Sequence, residues 1–425
     1  MGFIEFLTDN KRWLSGSLLL MFASSPGQTL IIAQYSAEIR ETFTLTHGAY
    51  GSLYSLATVA SAAILIWAGK SVDHFSPATV GVASIFMLAC FVLLVAYAPN
   101  IWVLGIAFCG LRLFGHGMLP QTAITAIGRW FHERRGKAVA IATLGILLGE
   151  ALLPLVIVSS MALFGWRETW VLTSLILVFA MVPICWGLLR VDRTPKGGGS
   201  TKARSSAKVP DWTRSQVLRD WRFWIVMLGL LVCPFMLTGV LWHQVHLMDA
   251  KSWDRTVFPA SLPLFAVAGA AFSFLSGSII DKIGAPKTLA PALLLVAGGL
   301  FTLGLAEHPT FAPLAIFLLG GAVGATGTIN GAIWPELYGT QHLGAIRAVA
   351  FAGFTFSTSL SPGLMGWLID QNVSIDVQLM VGAAYTFGVM LILLLTVRHL
   401  KAKSPEESIE TLTPVSAAST EPASK

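Results

Sequence analysis

Arg112 and Glu150 stand where charged side chains are rare, and they define the chemistry open to this chain. Arg112 lies in Gly110-Leu111-Arg112-Leu113-Phe114-Gly115-His116-Gly117, and Glu150 ends Gly145-Ile146-Leu147-Leu148-Gly149-Glu150. Counted from Ile101 and from Lys137, both fall roughly halfway through a hydrocarbon slab about 30 Å thick, at about 1.5 Å of rise per residue. A charge at that depth is unfavourable by roughly 3 kcal/mol or more unless a partner or a wet cavity receives it, which makes each a functional candidate. The planar guanidinium of Arg112 offers a fork of donors suited to a carboxylate. Glu150, on the neighbouring helix, could be its counter-ion, its proton-exchanging partner, or both. The alternative is a fixed structural salt bridge, although a buried pair of that kind gains little over packed leucines.

The elements that carry these two residues belong to a membrane protein. Of 425 residues, 55% are hydrophobic and 12% charged, and the mean hydropathy is +0.71. A soluble domain carries about 25% charged residues, so this chain is short of charge by about half. The net charge of +6 therefore points to the loops that flank membrane spans and not to nucleic acid. Cys90, Cys109, Cys185 and Cys233 all sit inside apolar runs without metal-ligand spacing and read as small buried hydrophobes. No cleavable signal follows Lys11-Arg12, and Phe6 occupies the position where N-myristoylation wants Ser or Thr. The triple glycine Gly197–Gly199 lacks the Gly-Lys-Ser/Thr of a phosphate loop, and no Ser/His/Asp set or dinucleotide fingerprint is present. An enzyme is excluded, and no cofactor or metal is expected.

Twelve spans follow from the apolar runs: about 13–36, 48–69, 77–98, 101–127, 137–164, 168–189, 221–247, 257–280, 288–306, 311–334, 345–369 and 377–398. The expected fold is an all-α membrane protein, its twelve transmembrane helices split into two pseudo-symmetric six-helix halves, 1–189 and 221–400. A polar, glycine-bearing cytoplasmic linker, 190–220, joins them, and a disordered cytoplasmic tail, 401–425, follows. Of the 28 Lys and Arg, only Arg40, Arg167, Lys251 and Arg255 fall in one set of loops and Arg112 inside a span, so the other set is basic. That positive-inside pattern predicts a multi-pass protein of the cytoplasmic membrane with both termini cytoplasmic. The halves repeat at a constant offset of 208 positions: Trp13 maps to Trp221, Pro26 to Pro234, Gly69 to Gly277, Asp73 to Asp281, Gly145 to Gly353 and Pro154 to Pro362. Parallel six-helix repeats of this kind are a transporter architecture.

Gly69-Lys-Ser-Val-Asp73 and Gly277-Ser-Ile-Ile-Asp281 resemble the loop motif of the major facilitator superfamily, and Arg112-Leu-Phe-Gly115-His-Gly117 resembles its fourth-helix motif. Gly136, Gly145 and Gly149 resemble the glycine spacing of its fifth helix, with Glu150 where proline would follow. The resemblance covers nearly the whole chain and implies alternating access around a midplane site lined by the first, fourth, seventh and tenth helices. The first loop copy has His74, Phe75 and Ser76 where a basic residue and a glycine are expected; the second keeps Lys282 and Gly284. Asp73 and Asp281 are thus the expected gating residues, with more weight on Asp281. A narrower likeness, to the bacterial monocarboxylate transporter branch, rests on Trp130-Phe131-x-x-Arg134-Arg135-x-x-Ala138-x-x-x-Ala142-x-x-Gly145. The first helix departs from that branch with Ser24-Ser25-Pro26-Gly27-Gln28-Thr29, and the span Phe258–Ile280 has no charged residue. A substrate-binding cation must then come from Arg112.

The remaining candidates flank helix irregularities. Pro26-Gly27 would loosen the first helix and free backbone groups beside Gln28 and Thr29, the alternative being a kink for packing. Pro234 stands at the same register of the seventh span and predicts the same role there. Trp242 and His243 could close the outward side of a cavity, and His243 could also exchange protons. Asn330 is a further ligand candidate among Gly320, Gly321, Gly324, Gly327 and Gly331, glycines that also suit close helix packing. These residues together describe a proton-coupled secondary transporter of a small organic anion, a monocarboxylate, working as a monomer among membrane lipids, with protons as co-substrate. Two alternatives stay open: a proton-coupled exporter of apolar or cationic compounds, and a membrane sensor that binds without translocating.

Overall fold

The computed structural model of the protein describes residues 3–69, 71–131, 135–191, 212–339 and 342–400. The basic turn at 132–134, the linker from 192 to 211 and the tail from 401 lie outside the described residues, as does the side chain of Asp73.

Among the described residues, twelve long helices form two consecutive sets of six. In the first half they are α1 (Phe3–Ala23, resumed at Thr29–Ala33), α2 (His47–Ala68), α3 (Pro77–Ala96), α4 (Ile101–Gly110, continued by Leu111–Met118 and Leu119–Trp130), α5 (Arg135–Phe164) and α6 (Trp166–Ile176, Leu177–Met181 and Val182–Leu189). The second half holds α7 (Trp221–Trp242), α8 (Val257–Ile283), α9 (Ala285–Leu305), α10 (Ala312–Tyr338), α11 (Leu343–Asp370) and α12 (Ile375–Thr396). Among the described residues, 11 stretches are long and apolar enough to cross a membrane, and α11, 28 residues long, is the twelfth helix. Large apolar side chains such as Leu56, Ile66, Phe179, Phe274 and Leu395 point outward, as they can only in lipid.

Each half has its own buried core, one around Leu20, Ile85 and Phe108, the other around Phe223, Leu293, Ile329 and Trp334. Small residues let backbones approach where no hydrophobic drive between helices exists. In α10, Gly320 and Gly324 press on the backbone of Phe265 and Gly269 in α8, so the expected packing role of those glycines is met. Gly327 and Gly331 have open space where a Cβ would go. In α5, Gly145 lies against Leu18 O and Gly149 against the Ser25 hydroxyl of α1.

Several boundaries differ from the hydropathy reading. The seventh span stops at Trp242, and a separate short helix, Gln244–Ala250, follows His243. The linker is ordered at its far end. Trp212 is buried and its amide donates to Tyr338 O, and Arg214–Arg219 forms a short helix behind a Thr213 capping box. Hydropathy missed this segment because its order comes from one buried aromatic and not from an apolar run. Pro234 does not interrupt α7, which runs unbroken for 22 residues. Asp281 is exposed in the last turn of α8. The start of α9 is instead held by Glu336 of α10, whose Oε2 accepts the Ala285 amide at 2.8 Å.

Candidate functional site

The first helix breaks where its sequence offers the least resistance. Pro26 has no amide hydrogen and Gly27 no side chain, so α1 ends at Ala23, turns tightly through Ser25–Gly27 and passes an extended Gln28 (φ −80°, ψ 144°) before resuming at Thr29. Inside a membrane the freed polar groups need protein partners, because lipid offers none. Ser24 and Ser25 turn back to Met21 O and Phe22 O at 2.6 Å each. The rest comes from α4, which widens into π-helical turns over Leu111–Met118 opposite the break. A Cβ on Gly27 would lie 2.6 Å from Gly115 Cα and 2.9 Å from His116 N, so the two backbones meet with no room for a side chain.

Arg112 reaches across this seam. Its Nη1 donates to Gly27 O at 3.1 Å and, at 3.4 Å, to Thr29 Oγ1. Thr29 Oγ1 also shares a hydrogen bond of 2.6 Å with the Tyr54 hydroxyl of α2, and the guanidinium carbon stands 5.5 Å from the Tyr54 ring centre. The Arg112 side chain is buried, and its Nε has no partner among the described residues. Next to it, His116 Nδ1 donates to Gln28 Oε1 at 2.8 Å, while Gln28 Nε2 lies 3.3 Å from Ser24 Oγ. His116 is exposed to the space beside the broken helix.

Arg112, Gln28 and Thr29, predicted separately, thus form one cluster. His116, quoted in the motif but not singled out, joins them. It stands four positions after Arg112, and that spacing on one helical face was the available signal. Glu150 is not part of the cluster. Among the described residues it makes no ion pair or hydrogen bond, and the expected Arg112–Glu150 bridge is absent. The reason is local: the wide turns of α4 aim Arg112 at the carbonyl that the broken helix releases.

At one end of the bundle an aromatic stack covers the site. Trp242, the last residue of α7, lies 3.9 Å from Tyr54 and 4.9 Å from Tyr50 between ring centres, nearly parallel to both. Although it comes from the second half, it is buried in the core of the first. The Trp242 Nε1 and Tyr50 hydroxyl have no partner among the described residues. Cross-half contacts gather at this end. Asp370 of α11 accepts the amides of His47 and Gly48 at 3.0 and 2.8 Å, Gln244 reaches Leu30 O at 3.4 Å, and Arg255 pairs with Glu38 at 3.3 Å. His243 does not face the site: it is buried and its Nε2 donates to Pro362 O at 3.0 Å. The His47 ring stacks edge-on against His246 at 4.3 Å. Half-burial beside Arg40 holds His246 below its ordinary value.

Asn330 is tied down as well, its Oδ1 accepting Trp334 Nε1 at 2.8 Å. It borders a cavity of about 320 Å³ between α7, α10 and α11, with Pro234, Thr238, Thr326 and Thr358 also on its wall. That wall is neutral, and the cation stands in the other half.

The family model described as Major Facilitator Superfamily matches residues 17–243 and 233–423. A probable sulfoacetate transporter of Cupriavidus necator is 25% identical over 402 residues, covering 88% of this chain and 91% of that protein. A probable L-galactonate transporter of Escherichia coli K12 is 22% identical, covering 94% of this chain and 92% of the relative. A gentisate transporter of Corynebacterium glutamicum is 24% identical, with coverage of 84% and 81%. Among solved structures, an inward-facing, unoccupied bacterial homologue of the human lysosomal transporter Spinster aligns at a TM-score of 0.64. It is 16% identical and covers 94% of this chain and 97% of that one.

Proposed function

The chain belongs to the major facilitator superfamily, and on that premise we propose that it carries a small organic anion, a monocarboxylate, across the cytoplasmic membrane by alternating access. It is a membrane transporter and not an enzyme. The observation that carries the anion reading is the buried Arg112 guanidinium, which among the described residues is held only by neutral acceptors and keeps a free Nε–H. A buried cation without a counter-ion is unfavourable, and an incoming carboxylate relieves that while gaining two parallel charge-assisted hydrogen bonds. Relatives named for sulfoacetate, L-galactonate and gentisate support an acidic solute. The positive-inside pattern supports an outer position for the end closed by Trp242, with both termini cytoplasmic. Asp73 and Asp281 would then lie at the opposite, gating end.

We place the coupling proton on Glu150, which lies in α5 and, among the described residues, has no bonded partner. In this reading it acts without touching Arg112, taking up and releasing the proton while the guanidinium stays on Gly27 O and Thr29 Oγ1. Counterflow in proteoliposomes tests both assignments. Small carboxylates should exchange, and Glu150→Gln should keep exchange while losing accumulation driven by a pH gradient. Exchange of a lipophilic cation with no exchange of any acid would overturn the anion reading. PH-driven accumulation by Glu150→Gln would remove Glu150 from the coupling.

A further inference from the structure

We propose that the crevice between α7, α11 and α12 is a lipid site, holding one acyl chain of a phospholipid from the leaflet at the Trp242 end. The crevice is a cavity of about 590 Å³ open on the lipid-facing side, walled by residues such as Leu231, Met236, Leu364 and Val381, with Gln378 at its mouth. Protein interiors are close-packed, and an apolar space of this size neither stays empty nor takes water. In a membrane the solvent able to fill it is the lipid chain.

Its length fits that occupant. The α7 wall runs from Leu228 to Val240, which at about 1.5 Å per residue spans about 18 Å, close to the hydrocarbon of one leaflet. Its outer end is polar: Gln378, in the first turn of α12, donates Nε2 to Val373 O at 3.0 Å, and its Oε1 is buried without a partner among the described residues.

The internal repeat supplies a control. The same crevice recurs between α1, α5 and α6, where Val156, Ile157 and Thr173 stand 208 positions before Leu364, Met365 and Val381. There the cavity is only about 120 Å³. Trp170 occupies the position of Gln378 and stacks at 4.3 Å on Tyr35, which stands at the position of His243. One half fills its crevice with its own aromatic pair; the other leaves room for lipid beside α7, the helix whose end carries Trp242.

A phosphatidylethanolamine carrying a diazirine in its acyl chain, reconstituted with the full chain in vesicles and photolysed, reads this directly. Label should concentrate on the crevice-facing peptides of α7, α11 and α12. Gln378→Trp, which borrows the residue of the first half, and Val381→Phe should each lose most of that label while labelling around Phe179 on α6 persists. Size-exclusion profiles identify a variant that has not folded, and the unaltered protein still decides the question through its own label map. Even labelling of all lipid-facing helices, unchanged crevice labelling in both folded variants, or displacement of the label by the soluble organic anion would overturn the assignment.

Discussion

The two halves start from the same repeat and treat it differently in α1 and α7. In the first half, Pro26 is followed by Gly27-Gln28-Thr29 and the helix breaks; in the second, Pro234 is followed by Phe235-Met236-Leu237 and the helix stays whole. Proline alone therefore does not interrupt a membrane helix here. The break needs a glycine that lets a neighbouring backbone approach, and partners for what it releases. α4 supplies those partners in Arg112 and His116, whereas the matching positions in α10 are Gly320 and Gly324. Among the described residues, the polar cluster around Arg112 is thereby confined to one half. The other contributes a neutral wall and, through Trp242, the cover over the site.

Removing that cover should have the largest effect. Trp242→Ala deletes a side chain buried across the interface, a change of about 3–5 kcal/mol in a packed core. It should loosen the closed end, so a cysteine placed near Leu30 should become reactive to an impermeant thiol reagent. If reactivity stays at its original level, the ring is filling space and not holding the halves together.

Arg112→Lys keeps the charge and removes the fork. With hydrogen bonds to charged groups contributing about 1.5–3 kcal/mol each, losing one should weaken anion binding by about tenfold to a hundredfold. Isothermal titration with a transported acid checks this; unaltered affinity would place the anion elsewhere. Gly27→Ala tests whether the break depends on close approach. Its Cβ would press on Leu111 O and on Gly115, at a cost of about 1–3 kcal/mol for overpacking, visible as a lowered Tm. Phe235→Ala at the matching position removes bulk without crowding any backbone, and should leave the Arg112 site and its anion affinity intact.

The smallest effect concerns pH. His246 is held below its ordinary value of 6.5 first by burial and then by Arg40, with Asp249 opposing. A histidine whose folded pKa is depressed favours the packed form while neutral, so that contribution is present above the unfolded pKa and lost as pH falls through the lower, folded one. The closed end should loosen on acidification below about pH 6.5, and His246→Gln should flatten that dependence. Thiol accessibility measured against pH distinguishes the two. The neighbouring Glu38–Arg255 pair is partly exposed and should add no more than about 1 kcal/mol.

Composition, hydropathy and the repeat settled membrane class, twelve spans and two halves, because lipid imposes backbone self-satisfaction and span length on any sequence. The resemblance carried by Gly277–Asp281 and by the motif around Arg112 was enough to reach the family. Arg112, Gln28 and Thr29 were legible as candidates because a charge at mid-membrane and a Pro-Gly within a span are local anomalies. The partner of Arg112 was not legible. Glu150 matched it in depth, but depth along a helix says nothing about direction around it, and the π-helical turns of α4 rotate the guanidinium toward α1. His243 and Asn330 also read as open ligands, and only their neighbours Pro362 and Trp334 show that His243 Nε2 and Asn330 Oδ1 are already bonded. Which polar group meets which is decided by helix rotation and by contacts between residues far apart in the chain, and periodicity along one chain does not encode those.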